Sequence, residues 1–504
     1  MYGMLDLTTF LVAITTFMLG YWLSQKLFAK DRNLPPGPPS LPLVGNLFTV
    51  AGKRPLAALR DLAAKYGDVF TIRLGSQLVL ILNSHEAVRE ALVRKADDFV
   101  GRPVFPATVG TLNNGMVFSN GSMWKFKRRL LLRYLRTFGM GKSSMEKRII
   151  EECKHLLHEF GEHEGQPFDP AKQVSNAASN IICSIVVGRR FEYSDSRFKT
   201  CLAALESLFQ LGKIFLGVGF MNSLAGKMCD YVLARSNFKC HTIIYEVFEP
   251  FIEEHAETYD PDDMRDFIDV FLSVTKEWES EVSVKSDESV GERGMPFKYY
   301  YIYCLILDMF AAGTETTSTT LMWAWLLMMK YPDVQYKVQE EIDRVVGKHR
   351  FPVMSDGHDL PYTEATVAEV LRIAGTVPLS VPHWTVNDTS LFGYDIPKDT
   401  MVWPNLWSVL REPQLWLDPE KFDPTRFIDS QGAFSKPDTL IPFGTGPRIC
   451  IGEQLAKMEL FLTFTSVLQN YKLESDEKWP LPDLEGQIHM TLQPKKYKMR
   501  AIKR

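Results

Sequence analysis

The stretch Pro442–Glu453, PFGTGPRICIGE, places one cysteine among three glycines, an arginine and a phenylalanine. Glycines let the backbone come close to a flat, bulky partner, and Arg448 adds a positive charge. An amphipathic run at 453–468 begins just after Cys450. The dipole of that helix would favour a thiolate over a thiol.

Three other uses of such a cysteine fit the residues poorly. A dinucleotide-binding loop needs a third glycine where Ile449 stands. A phosphatase-type nucleophile would be followed by an arginine, but Ile451 follows Cys450. A cysteine hydrolase needs a histidine base, and His489 is the only histidine further along the chain. A thiolate held for a metal remains, and haem iron suits such a ligand.

The stretch resembles the haem-binding signature F-x-x-G-x-R-x-C-x-G of the cytochrome P-450 superfamily. The matching residues are Phe443, Gly446, Arg448, Cys450 and Gly452. The resemblance implies that Cys450 ligates the iron of haem b and that the other four surround the cofactor.

A second block, Glu369-Val370-Leu371-Arg372, is an E-x-x-R on a helical stretch. Taken alone it reads as an ordinary surface pair on a helix. The same family joins this pair to an arginine of a later P-x-R-F element, found here at 424–427. The resemblance therefore implies a buried network of Glu369, Arg372 and Arg426, in which loss of one member would cost about 3 to 5 kcal/mol.

A third block, AGTETT at 312–317, lies inside the apolar run 299–329. Its hydroxyl residues are poor helix formers and could simply bond back to the helix and bend it. The resemblance implies a catalytic use instead. Gly313 would open space over the iron, Thr316 would hydrogen-bond oxygen or water, and Glu315 would relay protons.

A fourth block, WKFKR at 124–128, has the pattern W-x-x-x-R. By resemblance, Trp124 and Arg128 bind a haem propionate, since an arginine can hold a carboxylate with two hydrogen bonds. Arg102 and His383 are further candidates, and a purely structural role for His383 stays open.

The substrate pocket is assigned from the family's substrate-contact segments. The assigned residues are Val104, Phe105, Val117, Phe118, Met309, Phe310, Ala312, Leu379, Val381, Met490 and Leu492. All are apolar and suit a lipophilic substrate, although composition alone would make them core. Trp384 stands where a smaller residue is usual in the family, which predicts a different pocket shape.

The chain has no flavin or nicotinamide motif, so electrons must come from a partner. The family implies NADPH-cytochrome reductase, and also cytochrome b5. A basic cluster beside Trp124 could dock such acidic proteins or could be a solvated face. The cluster is Lys125, Lys127, Arg129, Arg133 and Arg136.

The N-terminus predicts a membrane anchor. Residues 7–25 carry no charge and, as a helix, just span a bilayer core of about 30 Å. A cleavable signal peptide is the alternative, but the basic n-region and a small-residue cleavage site are missing. Lys26, Lys30 and Arg32 follow the span, which predicts a cytosolic body on the endoplasmic reticulum membrane.

Three regions are predicted: an anchor at 1–33, a proline-rich hinge at 34–40 and a haem-thiolate catalytic domain at 41–504. The hinge could alternatively be a docking motif for aromatic-lined grooves. Helices are predicted at 144–161 and 334–346, short strands at 69–74, 78–82 and 389–396, and an exposed loop at 276–296. The fold class is mainly α with small β-sheets, and the resemblance implies the cytochrome P-450 fold with an N-terminal transmembrane helix.

Composition excludes some other classes. The net charge of -4 gives no pull toward nucleic acid. The chain has 7 cysteines and no C-x-x-C pair, which argues against a disulfide framework or a zinc site. Most of these cysteines are expected to be buried.

The resemblance covers essentially the whole chain and looks most like the animal microsomal class that oxidises drugs, steroids and fatty acids. It implies a monooxygenase that inserts one atom of O2 into a lipophilic substrate, with NADPH supplying electrons through the reductase. Two alternatives stay open: an isomerase or dehydratase of the same fold that rearranges peroxides, and a membrane-bound haem or lipid binder without turnover.

Overall fold

A computed structural model shows how much of this organisation the chain adopts. It describes residues 33–41, 44–50, 54–104, 114–137, 143–217, 224–273 and 297–504, with the isolated positions 12, 15, 16, 20 and 52. Among these residues, no helix combines the length and the apolar character that crossing a membrane requires. The predicted anchor at 7–25 lies mostly outside the described residues, and the predicted loop at 276–296 and Phe105 lie wholly outside them.

Helices dominate the described chain. They are α1 (Leu47–Val50), α2 (Pro55–Tyr66), α3 (His85–Arg89), α4 (Ala96–Phe99), α5 (Gly121–Thr137), α6 (Ser143–Gly161), α7 (Ala171–Val186), α8 (Ser196–Gly217), α9 (Leu224–Glu257), α10 (Phe297–Lys330), α11 (Pro332–Val345), α12 (Pro361–Ala374), α13 (Leu406–Val409) and α14 (Glu453–Asn470). The helical prediction is confirmed for 144–161 and 334–346, which correspond to α6 and α11.

The strands are short. They are β1 (Val69–Leu74), β2 (Gln77–Leu82), β3 (His383–Trp384), β4 (Thr389–Leu391), β5 (Tyr394–Ile396), β6 (Met401–Pro404), β7 (Tyr471–Glu474), β8 (Gln487–Ile488), β9 (Leu492–Gln493) and β10 (Arg500–Lys503). The predicted strand at 389–396 is two strands, because the backbone turns at Phe392 and Gly393, which both have positive φ. The prediction of a mainly α fold with small sheets is confirmed.

The chain forms two compact units. The first takes residues 1–103, 214–232 and 379–408, and the second takes the remainder. The first unit is built on a four-stranded sheet in the order β1-β2-β6-β3. Strands β1 and β2 form a hairpin at Gly75 and Ser76, β2 pairs parallel to β6, and β6 pairs antiparallel to β3. The last four residues of β2 and all of β6 are buried, which suits their continuous apolar runs.

The proline-rich segment lies against strand β1 of the first unit. Thr71 donates its N–H to the Pro36 carbonyl at 2.8 Å and its Oγ1 to the Pro35 carbonyl at 3.0 Å. A Cβ on Gly37 would come within 2.0 Å of the Thr71 carbonyl oxygen, so only glycine allows this approach. Pro35 is buried, which disfavours the alternative of a docking ligand for aromatic-lined grooves.

The second unit is built around the long helix α10. Helix α10 is apolar on nearly all sides, as expected for a helix buried on all sides. It packs against α7, α12 and α14. Trp325 on α10 stacks on Phe464 of α14 with 6.0 Å between ring centroids. Trp323 donates its indole N–H to the Leu492 carbonyl at 2.8 Å. The middle of α10 is therefore held rigidly beside α14 and strand β9.

Candidate active site

The loop that carries Cys450 turns twice before helix α14 begins. Gly444 and Gly446 have φ angles of 78° and 76°, which residues with a Cβ rarely adopt. The Cys450 N–H donates to the Phe443 carbonyl at 3.1 Å and closes the loop. Since α14 begins at Glu453, the thiol lies just before a helix N-terminus.

The surroundings of the Cys450 thiol suit a ligand-bound thiolate. Burial raises the pKa of this thiol, while the N–H groups of Gly452 and Glu453 and the positive charge of Arg128 act against that rise. The Cys450 side chain is nevertheless exposed. Five other cysteines are buried: Cys153, Cys183, Cys201, Cys240 and Cys304. The Cys450 sulfur is therefore the one among these six that is accessible to a ligand.

Trp124 and Arg448 form a contact that fits an anionic ligand. The guanidinium carbon of Arg448 is 3.8 Å from the centroid of the Trp124 ring, within cation–π range. Arg448 also donates from Nη2 to the Ser119 carbonyl at 2.8 Å. The buried Nε1 of Trp124 has no hydrogen-bond partner among the described residues. A buried N–H needs an acceptor, and a haem propionate would supply one, so these residues fit haem b.

Arg128 belongs to the same group. It follows Trp124 by one turn of α5, so the two side chains share a helix face. Burial lowers the pKa of Arg128 and the charge of Cys450 raises it, which places the two groups within electrostatic range. The second unit thus brings together Cys450, Arg448, Trp124 and Arg128.

Arg102 and His383 come together in the first unit. Arg102 is buried and donates from Nη1 to the carbonyls of Val381 and Pro382, both at 2.8 Å. His383 is buried and its Nδ1 lies 2.8 Å from the Phe99 carbonyl. Because a carbonyl only accepts, Nδ1 carries the proton. The carbonyls of Val381 and Pro382 therefore hold Arg102, and the carbonyl of Phe99 holds His383.

The indole of Trp384 is engaged away from this segment. Its Nε1 donates to Asp399 Oδ1 at 3.0 Å, and its backbone N–H donates to the Gly101 carbonyl at 2.9 Å. The position that departs from the family pattern therefore has bonding partners within the first unit.

One face of α10 is accessible in the middle of an otherwise buried helix. Ala312 is exposed, and Met309 and Thr316 are partly accessible, while the residues from Thr317 to Thr320 are buried. Positions 309, 312 and 316 share a helix face because they are three and four residues apart. We call these three residues the accessible stripe of α10.

The hydroxyl residues of α10 do bond back to their own helix. Thr316 donates from Oγ1 to the Ala312 carbonyl at 2.6 Å, and Thr320 donates to the Thr316 carbonyl at 2.8 Å. The alternative interpretation of this Ser/Thr run, that its hydroxyl groups bond back to their own helix, is therefore confirmed. The Thr316 oxygen still lies on the accessible stripe, where it can accept a hydrogen bond.

Glu315 is tied to strand β9 rather than left in open space. Its Oε1 accepts from Gln493 Nε2 at 2.6 Å and from Thr491 Oγ1 at 3.0 Å. Burial raises the pKa of Glu315, and the Gln493 and Thr491 donors oppose that rise. The carboxyl group thus links α10 to the segment that carries Met490 and Leu492.

Gly313 has a packing role. A Cβ at this position would come within 2.4 Å of Ile182 Cδ1 on α7, well inside van der Waals contact. The glycine therefore lets α7 and α10 approach each other closely at the level of the accessible stripe.

The assigned pocket residues differ in exposure. Val104 and Met490 are exposed, whereas Phe118, Leu379 and Leu492 are buried. Val104 and Phe118 line a cavity of about 180 Å³ together with Met123 and Tyr301. Phe310 is 1% exposed and packs edge-on against Phe248 with 5.1 Å between centroids. Its ring therefore packs in the core of the second unit, and its assignment to the pocket stays a prediction.

The structure joins Glu369, Arg372 and Arg426. Arg372 binds Glu369 with two hydrogen bonds of 2.7 and 2.8 Å, and both side chains are completely buried. Arg426 Nε lies 3.4 Å from Glu369 Oε1. Arg372 also donates to the carbonyls of Leu410 and Pro419 at 2.9 and 2.7 Å. The network thus fastens α12 to the chain segment that leads toward Cys450.

The prediction of a basic cluster is wrong for one of its members, Lys127. Lys127 is only 2% exposed, because it lies about 200° around helix α5 from Lys125. The other members are exposed: Lys125, Arg129, Arg133 and Arg136. We call these four residues the α5 basic face.

Sequence reasoning missed a buried acid on each of the helices α10 and α14. Asp308 lies in the apolar run that forms α10, and Glu459 lies on the buried side of α14. A lone carboxylate inside an apolar run was the available signal for Asp308, since such a residue is rarely buried without partners. Glu459 had a weaker signal, because Glu453 and Lys457 precede it closely in the same amphipathic run.

Comparison with known proteins bears on the whole chain. The family described as Cytochrome P450 matches residues 35–501. Cytochrome P450 2G1 of Rattus norvegicus is 40% identical over 466 residues, covering 90% of this chain and 90% of the relative. Cytochrome P450 2U1 of Homo sapiens is 39% identical over 521 residues, covering 97% and 92%. Cytochrome P450 2F3 of Capra hircus is 38% identical over 475 residues, covering 93% of each.

Proposed function

The chain belongs to the cytochrome P450 family of haem-thiolate monooxygenases, and on this premise we propose that it oxidises lipophilic substrates at the endoplasmic reticulum membrane. One atom of O2 enters the substrate and the other becomes water. Haem b, when bound, supplies the activation of O2 that a thiolate ligand favours. NADPH supplies the electrons indirectly, through a flavoprotein reductase.

The observation that carries this proposal is the environment of Cys450. Its accessible sulfur faces the N–H groups of Gly452 and Glu453 and the charge of Arg128. Trp124, Arg128 and Arg448 would hold one propionate, and Arg102 and His383 would assist. Phe443, Gly446 and Gly452 would flank the macrocycle. An arginine pair beside a buried indole N–H is well suited to a carboxylate.

Proton delivery is assigned to the accessible stripe of α10. Thr316 presents its oxygen on the stripe, one residue after Glu315. While its proton is bonded to the Ala312 carbonyl, the hydroxyl oxygen can accept a hydrogen bond from water or an acid and so position a proton donor for an oxygen-reducing reaction. Glu315 would serve as the acid behind it, held in place by Thr491 and Gln493.

The substrate class follows from the side chains around the stripe. Met309 and Ala312 on the stripe, with Val117, Phe118 and Leu492 of the same unit, offer apolar surface and few hydrogen-bonding groups. Such a lining suits steroids, fatty acids or lipophilic foreign compounds. An anchor at 7–25 would hold the enzyme at the membrane in which these compounds dissolve.

The proposed function is tested by the absorption spectrum of the dithionite-reduced protein with and without carbon monoxide. A strongly red-shifted Soret band is expected for the wild type, and Cys450→Ser should abolish it because a hydroxyl cannot replace a thiolate ligand. Cys201→Ser, at a buried cysteine, is the matched control and should keep the band. A band typical of histidine-ligated haem in the wild type would sink the assignment of Cys450.

Turnover separates the proposal from its alternatives. With reductase and NADPH, the monooxygenase should consume NADPH and O2 in the presence of a substrate. A peroxide isomerase or dehydratase would convert a hydroperoxide without reductase. A haem or lipid binder would show only a ligand-induced spectral change.

A further inference from the structure

The segment just before helix α5 is held by two buried charges that the reaction does not use. Asp308 of α10 accepts the Met116 N–H at 2.5 Å and the Val117 N–H at 2.8 Å, both at Oδ2. Lys127 of α5 donates from Nζ to the Asn114 carbonyl at 2.6 Å and to the Gly115 carbonyl at 3.2 Å. Lys127 is 2% and Asp308 is 9% exposed.

The two charged groups bind opposite ends of the same peptide group. The Gly115 carbonyl and the Met116 N–H belong to one peptide plane, and in a trans peptide they point in opposite directions. The ammonium of Lys127 lies at the oxygen end and the carboxylate of Asp308 lies at the N–H end. A flip of this peptide would bring like partial charges together at both ends, so its orientation is fixed.

Steric fit supports the same arrangement. A Cβ on Gly115 would come within 2.3 Å of Asp308 Oδ2 and 2.6 Å of Asp308 Cγ. Only glycine therefore lets the carboxylate reach the two N–H groups. Lys127 Nζ also lies 5.3 Å from the centroid of the Tyr301 ring, which adds a cation–π contact to its carbonyl bonds.

Both groups stay charged at neutral pH. Burial lowers the pKa of Lys127 to about 8, and the charges of Cys304 and Asp308 oppose that change. Burial raises the pKa of Asp308 to about 6, and the Val117 and Met116 N–H groups and the charge of Lys127 oppose that change. At pH 7 the lysine is mostly protonated and the aspartate is mostly ionised.

The Gly115–Met116 peptide lies beside the accessible stripe of α10. Asp308 precedes Ala312 by one helical turn and Thr316 by two, on the same face. Val117 and Phe118 follow this peptide directly in the chain. We propose that Lys127 and Asp308 are positioning residues that clamp the Gly115–Met116 peptide and so set where Val117 and Phe118 stand as a wall of the substrate site. This inference rests on the proposed function for its consequence in catalysis, but not for the clamp itself.

The clamp is tested first in the wild type, without turnover, by amide hydrogen exchange. The N–H groups of Met116 and Val117 should exchange as slowly as amides inside α5, although the segment is not a regular helix. In Asp308→Asn and Lys127→Met their exchange should speed up at least tenfold. Fast exchange in the wild type would overturn the clamp, whatever the variants do.

The positioning role is tested by the products formed from substrates with several oxidisable carbons, using dodecanoic acid and testosterone as probes. Lys127→Met and Asp308→Asn should change the ratio of hydroxylated positions at least threefold and raise KM, while the carbon monoxide band is kept. Lys127→Arg should restore most of the wild-type ratio. Lys147→Met, at an exposed position on α6, is the matched control.

Each outcome is decisive for one of the two ideas. Unchanged product ratios in variants that keep the carbon monoxide band would overturn the positioning role. If Lys127→Met and Asp308→Asn do not fold, Lys127→Arg and Gly115→Ala are judged instead: retained ratios in Lys127→Arg and altered ones in Gly115→Ala support it, and the reverse overturns it. Slow exchange at Met116 and Val117 in a wild type that forms no product would defeat the proposed function and leave the clamp intact.

Discussion

Thr316 shows how a single side chain can serve both its helix and a reaction. Its hydroxyl donates to the Ala312 carbonyl at 2.6 Å, so the hydroxyl proton has an acceptor. The hydroxyl oxygen lies on the accessible stripe. Thr316→Ala would remove that oxygen without disturbing the packing of α10. We expect product formed per NADPH to fall at least severalfold and hydrogen peroxide to be released. Thr316→Ser keeps the hydroxyl and should couple nearly normally; equal coupling in the alanine variant would remove Thr316 from oxygen activation.

Glu459 is a second residue whose surroundings decide its chemistry. It is 1% exposed on α14, and its Oε2 has no hydrogen-bond partner among the described residues. Burial raises the pKa of Glu459 from 4.5 to about 8, and a hydrogen bond with Thr317 opposes the rise. At pH 7 this carboxyl group is therefore neutral in the folded protein.

This raised pKa predicts a loss of stability toward alkaline pH. The unfolded chain releases the proton near its ordinary pKa and the folded chain near 8, so the free energy of unfolding falls as the pH rises between those values. Glu459→Gln, which cannot ionise, should escape that loss and be more stable than wild type at pH 8 by up to about 4 kcal/mol. Thermal unfolding at pH 5 and pH 8 measures this, with the exposed Glu477→Gln as control. Parallel pH dependence in wild type and Glu459→Gln would contradict the assignment.

At the scale of elements, a buried pair joins the end of α9 to the helical residues 267–273. His255 Nε2 lies 2.7 Å from Asp266 Oδ2, and Nδ1 lies 2.6 Å from the Phe251 carbonyl. With a carboxylate and a carbonyl as partners, both ring nitrogens act as donors, so the ring is cationic. Asp269, although near both residues, is paired with Arg265 at 2.6 Å. This group is therefore a structural ion pair and not a metal site.

The pair predicts stability that depends on pH. Burial alone would lower the pKa of His255, but the Asp266 carboxylate and the Phe251 carbonyl raise it above its ordinary value. A raised histidine pKa stabilises the fold at pH below about 6.5, and this contribution is lost as the pH rises through the folded value. Asp266→Asn should lower the free energy of unfolding by about 3 kcal/mol at pH 6 and by less at pH 9. The exposed Asp262→Asn is the control, and an equal loss at both pH values would refute the charged pair.

The sequence predicts a helix or strand well when the pattern that indicates it lies within that element. Helix α6 and strand β1 follow their sequence patterns, because each carries its apolar spacing within its own residues. Lys127 was misplaced because local charge pattern does not say which side of α5 is covered. Its burial depends on two acceptors, the carbonyls of Asn114 and Gly115. They lie in a segment whose conformation no sequence pattern predicts. The contact of Phe310 with Phe248 could not be predicted either, since the two residues are 62 positions apart in the chain.

The site shows the same limit. The contact of Arg448 with the Trp124 ring is not part of the motif. The loop around Cys450 could be predicted because the motif fixes Gly446 where φ is positive. The bonds of Glu315 to Thr491 and Gln493 could not, because they join parts of the chain about 180 residues apart. Such contacts become visible only when the packing of α10 against strand β9 is known.

At the scale of the whole molecule, the charge distribution bears on how electrons arrive. The net charge is -4, so the chain as a whole repels an acidic protein and any attraction must be local. We propose that the α5 basic face supplies it. Lys125, Arg129 and Arg133 stand four residues apart and Arg136 continues the row, on the helix whose other side carries Trp124. An acidic reductase or cytochrome b5 docked there would lie on the element that contacts the proposed propionate.

Docking on this face predicts a salt-dependent rate of reduction. The double variant Lys125→Glu/Arg129→Glu should slow reduction by the flavoprotein about tenfold or more at low ionic strength, because steering acts mainly on the association rate. The difference should shrink above roughly 0.5 M salt, where the screening length falls to a few Å. Reduction is followed by stopped flow under carbon monoxide.

The control must separate a local face from overall charge. Arg344→Glu/Lys348→Glu, at exposed positions at the end of α11 and just after it, makes the same change: two substitutions of -2 each take the net charge from -4 to -8. If the α5 basic face docks the reductase, this variant should be reduced at nearly the wild-type rate. If both double variants slow equally, only the net charge matters. If neither slows, electrons enter elsewhere, and α5 serves the cofactor through Trp124 and Arg128 alone.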